Sequence, residues 1–182
     1  MGLDISVYKE IDFDSFIADD EVDGEEKDDM YDTKLHLHVD SKEKDGGNWY
    51  GQSDDIKKGF YSYKDRETSF RAGSYSGYGR FRRVLCEFFY GFSPEIIWNN
   101  PDEYKGSPFA EIICFSDCDG TIGPKTSEKL YKDFRDNEEK FKAYLKEKLP
   151  TEVYSVDFLG ESYNNWLEAF KIASNNGAVC FH

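Results

Sequence analysis

The sequence predicts an α+β fold, a small, mostly antiparallel sheet packed with about three helical regions. Three observations lead there. Apolar residues alternate with a period of two near the N-terminus, and they recur with a helical period in three later stretches. Strands and helices also fail to take turns in the way that parallel βαβ units require.

Residues 3–9 alternate, with Leu3, Ile5 and Val7 on one side, and read as a first strand. Residues 12–33 are acid-rich and poor in apolar side chains. They bury too little surface to offset their ordering entropy, so a mobile acidic insertion is expected there. Residues 34–39 resume the alternation, with Leu35, Leu37 and Val39 on one face and His36 and His38 on the other. Polar, glycine-containing sequence over 41–55 reads as a loop, and 59–63 with 68–71 as a hairpin turning at 64–67.

From Ser76 or Tyr78 the period changes. Phe81, Val84, Leu85, Phe88 and Phe89 form one helical stripe, with Arg80, Arg82, Arg83 and Glu87 on other faces and Gly91 as the stop. The apolar run 109–115 is expected to be a buried strand, bounded by Pro108 and a polar turn at 116–123. Pro124 then opens a helix carrying Leu130, Phe134, Phe141, Leu145 and Leu149, which Pro150 ends. A last helix is expected over 162–174, with Tyr163, Trp166, Leu167, Phe170 and Ala173 inward. Gly177 is its expected cap, followed by a strand over 178–181 and the final His182.

Length and composition set outer bounds. At 182 residues the chain fits one domain, 1–182, and although apolar residues are only 38% of it, aromatics at 17% supply large buried areas. No apolar run approaches the ~18–20 residues that span a bilayer. The opening residues lack the order of a secretion signal, so a cytoplasmic location without membrane contact is expected. MGLDIS matches the loose N-myristoylation spacing at Gly2 and Ser6, yet no basic cluster follows as a second membrane signal. Cys86, Cys114 and Cys180 sit among large apolar residues, as buried free thiols do. Cys114 and Cys118 are spaced wrongly for a zinc knuckle.

The formal charge of −14 is regional. Residues 1–33 hold 13 acidic side chains against Lys9 and Lys27, whereas residues 57–83 carry eight basic side chains against Asp65 and Glu67. The middle of the chain is therefore the part that would attract an anion, and direct nucleic-acid binding is not expected of the whole.

Two segments carry candidate chemistry. FRAGSYSGYGRFRR, residues 70–83, places glycines, hydroxyls and arginines at the start of an amphipathic helix, where backbone N–H groups and the helix dipole favour negative charge. Arg71, Ser74, Tyr75, Ser76, Tyr78 and Arg80 are its candidate ligand-binding residues. The spacing is neither that of a P-loop nor of a dinucleotide fingerprint, and a plain turn before a solvated arginine face fits it too.

IICFSDCDGTIG, residues 112–123, resembles the first motif of the haloacid dehalogenase-like phosphatases. In that motif Asp117 would be the nucleophile, Asp119 the acid/base and magnesium the cofactor. The 61 residues after Thr121 show no later acidic pair at a strand end, so the family's remaining motifs are missing. Asp117 and Asp119 stand as candidates to bind a ligand or a divalent cation, against the simpler reading of a hydrogen-bonded turn. His36 and His38, with His182 and Asp117, are a weaker metal set than a solvated strand face.

MGLDI, FRAGSYSGY, FSDCDGTIGP with Lys129-Leu130 and Asp133-Phe134, and Trp166, Ala169-Phe170, Gly177 and Phe181-His182 together resemble a family of uncharacterised proteins from bacteria and their phages. The likeness spans the chain apart from 11–60. It implies a bacterial or phage source and one shared site for these segments, and it names no reaction. The expected function is the binding of a small anionic, nucleotide-like or phosphorylated ligand, such as the sequestering of a signalling or defence molecule. Two alternatives are kept. One is a metal-assisted phosphoryl hydrolase or transferase built on the Asp-x-Asp turn, and the other is an acidic nucleic-acid mimic that occupies a host protein's basic groove. Whether the chain is an enzyme is left open at this point.

Overall fold

A computed structural model describes residues 2–15, 35–37, 56–57, 59–115, 120–149 and 153–182. The expected acidic insertion beyond Ser15, the loop over 41–55, and residues 116–119 with Asp117 and Asp119 lie outside the described residues.

The elements are strands β1 (Gly2–Ser15), β2 (Leu35–Leu37) and β3 (Gly59–Ser74), helices α1 (Tyr75–Tyr90) and α2 (Glu95–Asn99), a 3₁₀ turn (Pro101–Tyr104), helix α3 (Ala110–Cys114), strand β4 (Gly120–Ile122), helices α4 (Pro124–Lys148) and α5 (Val153–Ala173), and strand β5 (Ala178–Phe181). The sheet order is β2-β3-β1-β5-β4, and every pairing is antiparallel. This is the expected α+β architecture.

One face of the sheet carries Leu3, Ile5, Val7, Val179 and Phe181, and packs under the helices in a core that includes Phe81, Leu85, Phe134, Phe141, Trp166 and Phe170. The opposite face holds a smaller apolar cluster of Tyr8, Ile11, Leu35, Leu37, Tyr61, Ala178 and Cys180. The aromatic excess accounts for much of the main core. Trp166 stacks with Phe170 and Phe181, and Phe141 stacks with Tyr163 at a centroid distance of 4.5 Å.

Four expectations are corrected. Residues 59–74 form one strand and not a hairpin, because the charged stretch that reads as a turn is carried in the ladder, with Lys9 opposite Asp65 and Tyr8 opposite Arg66. Residues 110–114 are helical and not a strand, and all five are buried. The stripe of α1 is shifted, since Tyr78, Arg82 and Cys86 are buried in it while Phe89 is 37% exposed. Finally, α5 begins nine residues before its expected start, with Leu159 fully buried one turn before Tyr163.

The sheet sets where the candidate segments meet. Phe70 pairs with Ile5, Ile5 with Phe181, and Phe181 with Gly120, so one row crosses four strands. Three interstrand steps of ~4.8 Å put Phe70 about 14 Å from Gly120 at the same end of the sheet. Among the described residues, no helix is long and apolar enough to cross a membrane.

Candidate functional site

Ser74 ends β3 with an extended backbone and caps α1 by accepting the Gly77 N–H at 3.1 Å, while its Oγ lies 2.9 Å from Ser76 Oγ. That cap satisfies one orphan donor and leaves the Tyr75 and Ser76 N–H groups without an intrahelical partner. No acidic residue sits in the first turn to occupy the positive end of the helix dipole.

Beside this turn opens a cavity of about 490 Å³ lined by Gly73, Ser74, Ser76, Gly77 and Arg80 from the β3–α1 junction, and by Ser155 and Phe158 from α5. Ser76 and Arg80, four residues apart, project from the same face of α1. Gly73 has φ +110°, a conformation L side chains rarely adopt, and a Cβ there would lie 3.3 Å from Phe158 Cζ. The glycines of the segment thus serve a close helix-to-junction approach as well as a turn.

Of the residues expected at a ligand site, Ser74, Ser76 and Arg80 line the cavity together. Tyr75, at the first helical position, is 38% exposed and lies outside the lining. Arg71 also lies outside it, exposed on β3 opposite Asp4, with its guanidinium in the space a Cβ on Gly2 would need.

Tyr78 requires correction as a ligand contact: it is fully buried, and its hydroxyl donates to the Ile112 carbonyl at 3.2 Å. At 3.6 residues per turn, Tyr78 projects roughly 160° away from both Ser76 and Arg80. On this far side of α1, Arg82 Nη1 donates to the Phe115 carbonyl at 2.7 Å and Trp98 Nε1 donates to the Ile113 carbonyl at 3.0 Å. Three side chains thus satisfy carbonyls at the C-terminal end of α3, which explains how this short apolar run closes as a helix turn without strand neighbours. The 70–83 segment touches the end of α3 through one face and lines the cavity with the other.

Asp117, Asp119 and His38 lie outside the described residues, as does the side chain of His36. His182 is exposed and pairs with Asp4 through backbone hydrogen bonds of 2.9 and 3.2 Å. Among the described residues, no group of three or more His, Cys, Asp or Glu side chains could hold a metal ion. Cys86, Cys114 and Cys180 are buried, and burial pushes the Cys86 thiol up to about 12, with Cys114 adding to the rise. Cys86 is therefore a neutral core thiol at physiological pH and not a nucleophile.

Ser155 and Phe158 fall outside the sequence expectation, which starts the last helix at 162, whereas α5 starts at Val153. Val156, Leu159 and Tyr163 were the signal available, since they extend the helical period backwards past Gly160.

Comparison with protein-family models, with curated proteins and with solved structures finds no match to this chain.

Proposed function

We propose that this protein binds a small anionic ligand, nucleotide-like or phosphorylated, in the cavity between the start of α1 and α5. The observation that carries the reading is convergence: the first turn of α1 at Ser76 and Gly77, the hydroxyls of Ser74 and Ser76 and the Arg80 side chain border one concave space. A phosphate oxygen accepts from all three kinds of donor, and the first turn of the helix itself carries no acidic residue. The cavity volume falls within the ~300–1,000 Å³ of small-molecule sites.

A ligand that binds only the folded chain raises its melting temperature by mass action. The test titrates the full chain with inorganic phosphate and pyrophosphate by calorimetry and thermal melting, beside Arg80→Ala and Ser76→Ala. Saturable binding that both substitutions weaken by about tenfold or more supports the site, taking 1.5–3 kcal/mol for each hydrogen bond to a charged group. Absence of any melting shift or heat at millimolar anion sinks the reading.

A further inference from the structure

The two walls of the cavity differ in chemistry. The α1 wall presents Ser74, Ser76 and Arg80, whereas the α5 wall presents Phe158, with Ser155 one turn before it on the same helix face. Phe158 is half-buried, and the tip of its ring lies beside the two glycines: Cζ would be 3.3 Å from a Cβ on Gly73, a tight contact, and 3.6 Å from one on Gly77, an ordinary one. The missing Cβ of Gly73 leaves room for the ring tip, and the ring also packs against the main core. An aromatic ring held in this way loses little freedom when a second ring covers it.

A phosphate alone would leave most of a 490 Å³ space, and the phenyl wall, to water. Resting on the anion-binding reading above, we infer that the ligand is a phosphate monoester carrying a planar heteroaromatic ring, of the nucleoside monophosphate class. Its phosphate lies at the α1 N-terminus, its base stacks on Phe158, and Ser155 hydrogen-bonds the base or sugar edge. Base–aromatic stacking is worth about five- to 150-fold in affinity per base. It tolerates any base, so the chemistry selects a nucleotide without selecting purine or pyrimidine.

The test uses the full chain and five probes: inorganic phosphate, ribose 5-phosphate, AMP, UMP and pyridoxine 5-phosphate, each titrated by calorimetry. AMP and UMP are expected to bind at least about tenfold more tightly than ribose 5-phosphate. Phe158→Leu should reduce them to the ribose 5-phosphate level without changing ribose 5-phosphate itself, and Phe158→Tyr should retain the advantage. If AMP and UMP bind no more tightly than ribose 5-phosphate, the inference is overturned while the anion site stands, and this comparison needs no variant to fold. An advantage that survives Phe158→Leu also overturns it, as does tight binding of pyridoxine 5-phosphate alone. If none of the five binds, the anion-binding reading fails with it.

Discussion

The Arg82 guanidinium donates to the Phe115 carbonyl at 2.7 Å, and its central carbon lies over two aromatic rings, 4.5 Å from the Tyr78 centroid and 5.6 Å from that of Trp98. A charge in the core is costly unless hydrogen bonds and polarisable neighbours replace water, and both are supplied here. Arg82→Met should therefore destabilise the fold by about 1.5–3 kcal/mol, from the lost charged hydrogen bond and the stranded carbonyl. Arg82→Lys should restore little, because an ammonium neither stacks nor reaches with a planar fork. Chemical denaturation of the three proteins checks this, and a fully stable Arg82→Lys would remove the stacking argument. Phosphate affinity should be unchanged in both, since Arg82 lies across α1 from the cavity.

Gly177 illustrates a second constraint. The left-handed residue in the turn that follows α5 is Asn176, with φ 49°, while the Gly177 N–H bonds back to the Ala173 carbonyl at 2.8 Å. A Cβ on Gly177 would overlap the Tyr8 carbonyl oxygen and come within 2.8 Å of Ala173 Cα. The residue is glycine because β1, α5 and β5 meet there with no room for a methyl. Gly177→Ala should cost at least about 1–3 kcal/mol as overpacking of backbone against backbone. Asn176→Gly should be tolerated within about 1 kcal/mol, since it relieves a left-handed side chain while losing the Nδ2 hydrogen bond to Ile11. Melting curves of the two variants should differ in that order.

Glu95 gives a pH signature. Its carboxylate is held down to about 2, from the ordinary 4.5, first by a hydrogen bond from Ser93, then by its own N–H and by Arg83. Because the folded value lies below the unfolded one, the stabilisation is present above pH 4.5 and is lost as pH falls through 4.5 towards 2. Glu95→Gln should flatten the loss of stability over that window and leave the low-pH end unchanged. The side-chain carboxyl shift, followed by NMR, should move only well below pH 4.5; a midpoint at the ordinary value would contradict the hydrogen-bonded geometry.

Periodicity made much of this fold legible. The α1 and α4 helices and strand β5 follow from stripe spacing, Pro124 at the first helical position, and Gly91 with φ 78° at the stop. The failures have physical causes. Charged residues 64–67 look like a turn because propensity cannot see that Tyr8 and Lys9 of β1 offer Arg66 and Asp65 a partner ladder. Residues 110–114 are buried on all sides, so the pattern has no period to read, and their helical state depends on hydrogen bonds from Tyr78, Trp98 and Arg82. At the site, Ser74, Ser76 and Arg80 could be read from capping chemistry and i,i+4 spacing. Tyr78 falls on the buried face instead, because two residues along a helix is most of a half-turn away. Phe158 comes from an element about 80 residues later, and only the packing of α5 against Gly73 and Gly77 brings it there.

A last prediction concerns the polar network that fastens α3 to α4. Lys129 Nζ donates to the buried Glu111 carboxylate, to Asp133 at 2.9 Å and to the Ser107 carbonyl at 2.5 Å, while the Phe109 N–H donates to Asp133 at 3.0 Å. Phe109 is fully buried with φ +62°, a left-handed conformation that costs a bulky residue about 1–3 kcal/mol. That strain is sustained by the Asp133 hydrogen bond and by ring contacts to Phe89 and Phe134 at 5.6 and 5.1 Å. Removing the cation leaves two carboxylates facing each other away from water. Lys129→Met should therefore destabilise by about 3–5 kcal/mol, the cost of breaking a buried pair from one side. Glu111→Gln in the same background should recover part of the loss, because a neutral amide needs no counter-charge. Recovery would appear in a double-mutant cycle as a coupling beyond ~0.5 kcal/mol. Additive losses would mean that solvent reaches the pair well enough for each charge to be neutralised on its own.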